Sequence, residues 1–264
     1  MSAPGIAPDL ESAPALVRER GSGLGVPMHL LASTTSTNDE AKLAAKQGAP
    51  SGATWVTEQQ TAGRGRQGRT WVSPAGENLL FSVLVRVACP PSRLPPVALV
   101  AGLAVRDAVG AAAPEATPKI KWPNDVLVDG KKIAGVLVEA VTAGSRVHAV
   151  VVGIGINVHT RDFPGDLAAH ATSMARVSRR PADRAALLAD VLAHLDRDLH
   201  VVVGRGLGLL RARLGEADAL RGLRVRNDAA DEGIASGIDD DGRLLVRRGD
   251  GVLVHWGAGE VHLV

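Results

Sequence analysis

At 264 residues the chain has room for one large domain, or for one large and one small, and its 45% apolar content is ample for a core. Thirty basic against 28 acidic side chains leave a net charge of +2, which argues against bulk nucleic-acid binding. Cys89 is the single cysteine, so an internal disulfide is excluded and a reducing cytoplasm fits; with no Tyr, two Phe and four Trp, packing rests on Val, Leu, Ile and Ala, with Cys89 as a small apolar filler.

Residues 1–25 are rich in Ala, Pro, Gly and Ser and read as a disordered tail. Asp9 and Glu11 interrupt them, which is unlike a secretory signal, and nowhere does the chain approach the roughly 18 apolar residues of a membrane span. Residues 33–48 predict a short helix, with Thr37 and Glu40 as a capping box and Gly48 as its stop. A helix start also offers free N–H groups and short hydroxyls to a polar ligand.

Between the strand-like runs 54–59 and 78–87 lies TAGRGRQGRTW, residues 61–71, with three glycines and three arginines. It has almost nothing apolar to bury, yet rigid elements hold both of its ends. Such a cationic, glycine-rich loop suits an anion clamp, because arginine forks pair with phosphate or carboxylate oxygens. Gly63, Gly65 and Gly68 match GxGxxG, but no helical pattern follows them, which argues against a dinucleotide turn. Arg64, Arg66 and Arg69 repel one another and nothing identifiable in the sequence offsets the ordering entropy of the segment, so it is expected to be mobile until a ligand orders it.

Residues 94–113 predict one amphipathic helix, started by Pro95 and Pro96. Asp129-Gly130 marks a tight turn between strands 125–128 and 132–139, and alternation sends Lys131 and Lys132 to opposite faces. The turn does not account for Lys121-Trp122-Pro123-Asn124-Asp125. In the apolar strand 147–158, Gly153 and Gly155 imply close approach of something to the backbone, and Asn157 is either a turn former or an amide that reads a base edge. Residues 180–203 form a long helix opening at Pro181, on which His194 and His200 lack metal-ligand spacing. From residue 221 five short alternating runs predict a small β-barrel.

Four motifs in this order, STNDEA (36–41), GRGRQGRTW (63–71), KWPNDVLVDGKKIAG (121–135) and VVGIGIN (151–157), resemble those of the biotin protein ligase family. The resemblance runs from about Thr35 to the C-terminus. It implies an α+β fold: a mixed β-sheet with helices packed on it as catalytic domain (residues 26–220) and an SH3-like C-terminal barrel (221–264). It also implies ATP-dependent joining of biotin to a lysine of a biotin carrier protein, through biotinyl-5′-AMP and with Mg²⁺. Only a tail-like stretch precedes Ser36, so a monofunctional ligase without specific DNA binding is expected, as a monomer or weak homodimer.

By the same resemblance Ser36, Thr37, Asn38 and Gln60 line the biotin pocket, and Arg64, Gly65 and Arg66 close over the biotin tail and phosphate. Lys132, Arg66 and Arg69 supply catalytic charge against two repelling anions, with Lys132 also reaching biotin. Arg64, Arg66, Arg69, Trp71, Asn124 and Asn157 contact the nucleotide, Trp71 by stacking on adenine, and Asp125 is the metal candidate. A lipoate or octanoyl ligase shares the chemistry, but the STN and GRGRxGR pair argues against it. A non-catalytic nucleotide- or nucleic-acid-binding module would use the basic loop alone.

Overall fold

The computed structural model describes residues 5–87, 94–144 and 146–264; Cys89 and the filler role expected of it lie outside them. The chain opens with two short helices, α1 (Pro8–Glu11) and α2 (Ala13–Glu19), followed by β1 (Met28–Leu31), α3 (Thr37–Lys46), β2 (Thr54–Thr57) and β3 (Leu79–Val85). Helix α4 (Pro95–Ala112) leads into β4 (Lys119–Lys121), β5 (Asp125–Val128), β6 (Lys131–Ala143) and β7 (Arg146–Ile156). Helices α5 (Leu167–His170), α6 (Met174–Val177), α7 (Arg184–Arg205) and α8 (Arg211–Ala217) come next. The C-terminal strands are β8 (Arg224–Asn227), β9 (Glu232–Ile238), β10 (Leu244–Arg247), β11 (Leu253–Trp256) and β12 (Val261–Leu263).

Seven strands make one mixed sheet in the order β1-β2-β3-β7-β6-β5-β4, parallel at β1–β2 and antiparallel elsewhere. Asp129 (φ 49°) and Gly130 (φ 75°) make the β5–β6 turn, a left-handed pair that an Asp-Gly step adopts readily. Because side chains alternate, the two faces are chemically distinct. Phe81, Val83, Val136, Val150, Val152 and Ile154 bury one face in the main core with α4 and α7. Contrary to the expectation that no stretch approaches a membrane span, α4 is long and apolar enough for one by length and composition, and this packing accounts for it as a core helix. The other face carries Trp55, Leu84, Val141, Ala149 and Val151, packed under Ala41 and Ala45 of α3. Helix α3 covers only part of that face, and the uncovered remainder, floored by Gly135, Gly153 and Gly155, is where the cleft lies.

The expected N-terminal tail is instead a docked segment. Leu10, Ala13 and Val17 are buried in the main core, and Arg184 at the start of α7 forks onto both Asp9 oxygens at 2.8 Å. The same guanidinium reaches Glu58 at 2.6 and 3.2 Å, and Glu58 accepts the Ala7 N–H at 2.9 Å. Arg184 and Glu58 are 2% and 1% exposed, so their charges are nearly solvent-free and need one another. Composition misreads the segment because three well-spaced apolar residues and one carboxylate suffice when a buried cation awaits them. Helix α7 itself begins at Arg184 and not at Pro181, since Asp183 accepts from the N–H groups of Ala185 and Ala186 as its cap.

The five C-terminal strands form an antiparallel sheet in the order β11-β10-β9-β8-β12, with β11 and β12 as its edges. Val225, Ala235, Leu244, Val246, Trp256 and Val261 belong to the same continuous core as the seven-stranded sheet and its helices. Trp122, unexplained by its own turn, is 2% exposed and donates Nε1–H to the Gly242 carbonyl at 2.9 Å, joining the two units.

Candidate active site

The start of α3 is not the expected capping box. Ser36 occupies the cap position without a side-chain bond to the helix, and Glu40 turns back to accept the Thr34 hydroxyl at 2.7 Å. The free N–H of Thr37 is satisfied from elsewhere in the sequence: Gln60 Oε1 accepts it at 2.8 Å and the Thr37 hydroxyl at 3.1 Å. Ser82, under the helix on β3, donates toward Thr37 Oγ1 (2.7 Å) and Asn38 Oδ1 (2.5 Å), a hydroxyl shared between two acceptors. Asn38 Nδ2 donates to Glu139 Oε2 at 2.7 Å.

The close approach implied by the two β7 glycines is made by the protein's own side chains. A methyl group at Gly153 would stand 2.1 Å from Asn38 Oδ1, and one at Gly155 would stand 2.7 Å from the Trp71 indole. A methyl at Gly135 on β6 would meet Trp71 and the Lys132 stem at 3.0 Å. These three glycines therefore admit an amide and an indole flat against the sheet. Trp71 already packs on this floor, whereas the resemblance implies adenine as its stacking partner; its Nε1–H is buried without an acceptor.

The arginine-rich segment folds back on itself. Gly65 N–H donates to Arg69 O at 2.7 Å, Trp71 N–H donates to Gly63 O at 3.0 Å, and a 3-10 turn spans Arg66–Gly68. Gln67 (φ 54°) and Gly68 (φ 73°) sit in the left-handed region at its tip. No helix follows, as expected for a loop that is not a dinucleotide turn. The charges do have partners, which lie in three distant segments and are therefore not apparent locally. Arg64 reaches Asp39 at 2.8 Å and Glu139 at 3.0 Å; Arg69 reaches Glu260 of the C-terminal sheet at 2.5 Å, and Arg66 lies 3.9 Å from the same carboxylate. Gln67 donates to Asp228 at 3.3 Å, so the small domain braces the loop.

Lys132 projects into the cleft, with Nζ 2.6 Å from Asp125 Oδ1 and 5.5 Å from the Trp71 ring centroid. The Lys132–Asp125 contact is an ion pair whose angle is poor for a hydrogen bond, which leaves that Asp125 oxygen buried without a donor aligned on it. Lys131 points the other way and is exposed, as alternation predicted. Asn124 is committed at both ends: Nδ2 donates to Val136 O at 2.8 Å and Oδ1 accepts from Arg66 at 3.1 Å. Asn157 donates Nδ2–H to Thr172 O at 3.0 Å, a fold-holding bond that leaves its Oδ1 for another donor.

All of the site residues implied by the resemblance line one cavity of about 280 Å³: Ser36, Thr37, Asn38, Gln60, Arg64, Gly65, Arg66, Arg69, Trp71, Asn124, Asp125, Lys132 and Asn157. Phe163, Leu167 and Ala171 form a further wall that sequence reasoning missed. The only local signal there is Phe163, one of two phenylalanines, which faces the Arg176 guanidinium at 5.0 Å. Behind the cavity, burial pushes the Glu139 carboxyl up, but hydrogen bonds from Lys42 and Asn38 outweigh it and hold the group below its ordinary value. Asp39 is shifted the same way: burial raises it, and Lys42 and Arg64 lower it further. The cleft thus presents four cations, with their balancing carboxylates set behind or beside them. Among the described residues no three His, Cys, Asp or Glu side chains gather as a metal site.

Residues 30–157 match the biotin/lipoate A/B protein ligase family, and residues 221–264 match the biotin protein ligase C-terminal domain. The chain is 40% identical over 231 residues to the biotin–[acetyl-CoA-carboxylase] ligase of Paracoccus denitrificans, covering 83% of this chain and 93% of that one. It is 36% identical to the ligase of the same name from Mycobacterium tuberculosis, covering 92% of each. Among solved structures it resembles the biotin protein ligase of Aquifex aeolicus in complex with biotin and ATP, with a TM-score of 0.77, 28% identity and coverage of 90% of this chain and 98% of that one. A catalytic-domain match, a C-terminal match specific to the biotin branch, and relatives aligned along nearly their whole length agree: the chain belongs to the biotin protein ligase family.

Proposed function

We infer that this cleft makes biotinyl-5′-AMP from biotin and ATP and hands the biotinyl group to a lysine on the carrier domain of a biotin-dependent carboxylase. The observation that carries this reading is the convergence of Arg64, Arg66, Arg69 and Lys132 on one cavity whose inner end is uncharged and rich in hydroxyl and amide groups. Biotin has that polarity: a neutral ureido ring at one end and a carboxylate at the other. In the proposed assignment, Ser36, Thr37, Asn38 and Gln60 take the ureido end. Gln60 Oε1 already accepts twice from Thr37, whereas the Ser36 hydroxyl, Gln60 Nε2 and the second lone pair of Asn38 Oδ1 remain to bind the ring.

In the first half-reaction a biotin carboxylate oxygen forms a bond to the α-phosphorus of ATP, and the bond to the β-phosphate oxygen breaks, releasing pyrophosphate. Two anions must approach, so fixed positive charge is the main requirement. Lys132 and Arg66 supply it, and Asp125 and Asn124 hold them in place. Trp71 and the Phe163 wall offer apolar surface to the nucleoside, and Asn157 Oδ1 offers an acceptor to its exocyclic amine. Mg²⁺ accompanying the triphosphate would shield its charge. With Asp125 the one carboxylate lining the cavity, and paired to Lys132, the donor set fits an ion carried by phosphates and touched by Asp125 alone.

In the second half-reaction the acceptor amine attacks the acyl carbon, AMP leaves with its phosphate, and the nitrogen loses a proton. The loop at 61–71 lies across the cleft, where it keeps water from the mixed anhydride until the acceptor arrives. Its chemistry and its single cysteine fit work in the reducing cytoplasm. Exchange of labelled pyrophosphate into ATP tests the reading: exchange that depends on biotin and fails with lipoate supports it. Exchange without biotin, or none, refutes it.

A further inference from the structure

Glu139 stands on β6 seven residues beyond Lys132 and belongs to none of the motifs, yet three donors from two other segments converge on it. Asn38 Nδ2 is 2.7 Å from Oε2, Arg64 Nη2 is 3.0 Å from the same oxygen, and Lys42 Nζ is 2.9 Å from Oε1. Asn38 is the inner wall of the cavity and Arg64 belongs to the loop that covers it. We propose that Glu139 is a positioning residue with two jobs: it sets the orientation of the Asn38 amide in the biotin pocket, and it holds the covering loop down through Arg64.

Besides Glu139, the Asn38 amide meets the Ser82 hydroxyl at 2.5 Å and, through a long bond from Nδ2, the Leu137 carbonyl. A hydroxyl donates or accepts and so does not choose between the amide's two ends. The Glu139 carboxylate only accepts, so it selects the orientation that turns Nδ2 toward β6 and Oδ1 over Gly153. The nearest alternative acceptor, Leu137 O, is 3.4 Å away. The two jobs are chemically separable. Asp39 shares Arg64 at 2.8 Å and Lys42 at 2.9 Å but makes no bond to the Asn38 amide, so it takes part in the second job only. Both oxygen-bound tasks at Oε2 survive in an amide that keeps its carbonyl there, and Lys42 then retains Asp39.

The inference rests on the biotin-ligase reading above, and its test keeps the two apart. Wild-type biotin-dependent pyrophosphate exchange is measured first; its failure sinks that reading, whereas the inference is judged only on variants of an active enzyme. Glu139→Ala, Glu139→Gln and Asp39→Asn are compared by KM for biotin, by kcat, and by the rate of trypsin cleavage after Arg64 in the ligand-free protein. Glu139→Ala is expected to raise the biotin KM about tenfold or more, the loss that follows an unsatisfied, reorientable buried amide. It should also speed cleavage after Arg64 several-fold. Glu139→Gln should bring the biotin KM back to within about threefold of wild type. Asp39→Asn should speed cleavage and leave the biotin KM unchanged. A Glu139→Ala enzyme with wild-type biotin KM overturns the proposal, as does an Asp39→Asn enzyme whose KM rises as far as that of Glu139→Ala. If Glu139→Ala does not fold, a Glu139→Gln enzyme with a tenfold higher biotin KM serves as the refuting result.

Discussion

Gly153→Ala places a methyl group 2.1 Å from Asn38 Oδ1, 2.9 Å from Cγ and 3.0 Å from Nδ2. Ordinary contact needs about 3.3 Å or more, so the amide must retreat by roughly 1.2 Å. Its bonds to Ser82 and Glu139, at 2.5 and 2.7 Å, then stretch past hydrogen-bonding range. Losing both, with the amide still buried, costs about 2–3 kcal/mol, which is roughly 30- to 150-fold in biotin affinity if the pocket needs Asn38 where it stands. Biotin titrations in the pyrophosphate-exchange assay measure the effect, and a double-mutant cycle with Asn38→Ala isolates its cause. Once the Asn38 amide is gone the three atoms nearest the methyl are gone with it, so Gly153→Ala should add little further loss in that background. Full additivity, or a Gly153→Ala enzyme with biotin KM within threefold of wild type, refutes the reasoning.

Lys132→Ala should reduce biotinyl-AMP formation by about 100-fold or more while Lys131→Ala stays near wild type, because only Lys132 faces the cavity; single-turnover adenylation decides between them, and equal losses would contradict the assignment. Arg184→Met strands Glu58 without a cation and should cost about 3–5 kcal/mol, lowering Tm on the order of 10 °C by calorimetry; an unchanged Tm would mean that the buried pair is not holding the N-terminal segment. The Arg184 hydrogen bonds hold the Asp9 carboxyl below its ordinary value of 3.8. Stability from that contact is complete above 3.8 and is lost as pH falls through the lower folded value, so an Asp9→Asn variant should differ from wild type at neutral pH and converge with it in acid melts. Asp218 is the opposite case. Burial raises its carboxyl and Oδ2 has no partner, so its contribution is favourable below 3.8 and is lost as pH rises through the raised value. Asp218→Asn should melt a few degrees higher than wild type at pH 8 and equally near pH 3, and a lower Tm at pH 8 would contradict this.

The strands and the helix α4 were legible in the sequence because period-2 and period-3.6 apolar patterns are local properties of the chain. Gly153 and Gly155 were legible as places of close approach, since an apolar strand has no other use for glycine. Which groups approach was not legible, because Asn38 and Trp71 arrive there through the turns of α3 and the loop. The arginine partners illustrate the same limit: Asp39, Glu139 and Glu260 lie 25, 75 and 191 residues from the arginines they meet. The docked N-terminal helices were misread for a related reason. Composition measures what a segment buries on its own, whereas Leu10, Ala13 and Val17 are buried in the main core against α7. The Phe163 wall carried too little periodicity to be noticed, and only the folded chain brings it beside Lys132.

The fork from Arg184 to Asp9 spans 175 residues, and this has a consequence for the order of events at the ribosome. Residues 8–19 are among the first made, yet the surface they cover is completed only when α7 emerges, some 10–35 s later at about 5–20 residues per second. Strand β3 likewise waits for β7 before it gains its second neighbour. Through the longer interval Leu10 and Val17 stay uncovered on the nascent chain, next to a Glu58 carboxylate that has no counter-charge yet. Release of α7 then supplies the missing helix, the cation and, through the N-terminal segment, the last cover of the core together. The catalytic domain is therefore committed to folding late and as a unit, and a chain stalled before Arg184 is the form that chaperones would have to hold.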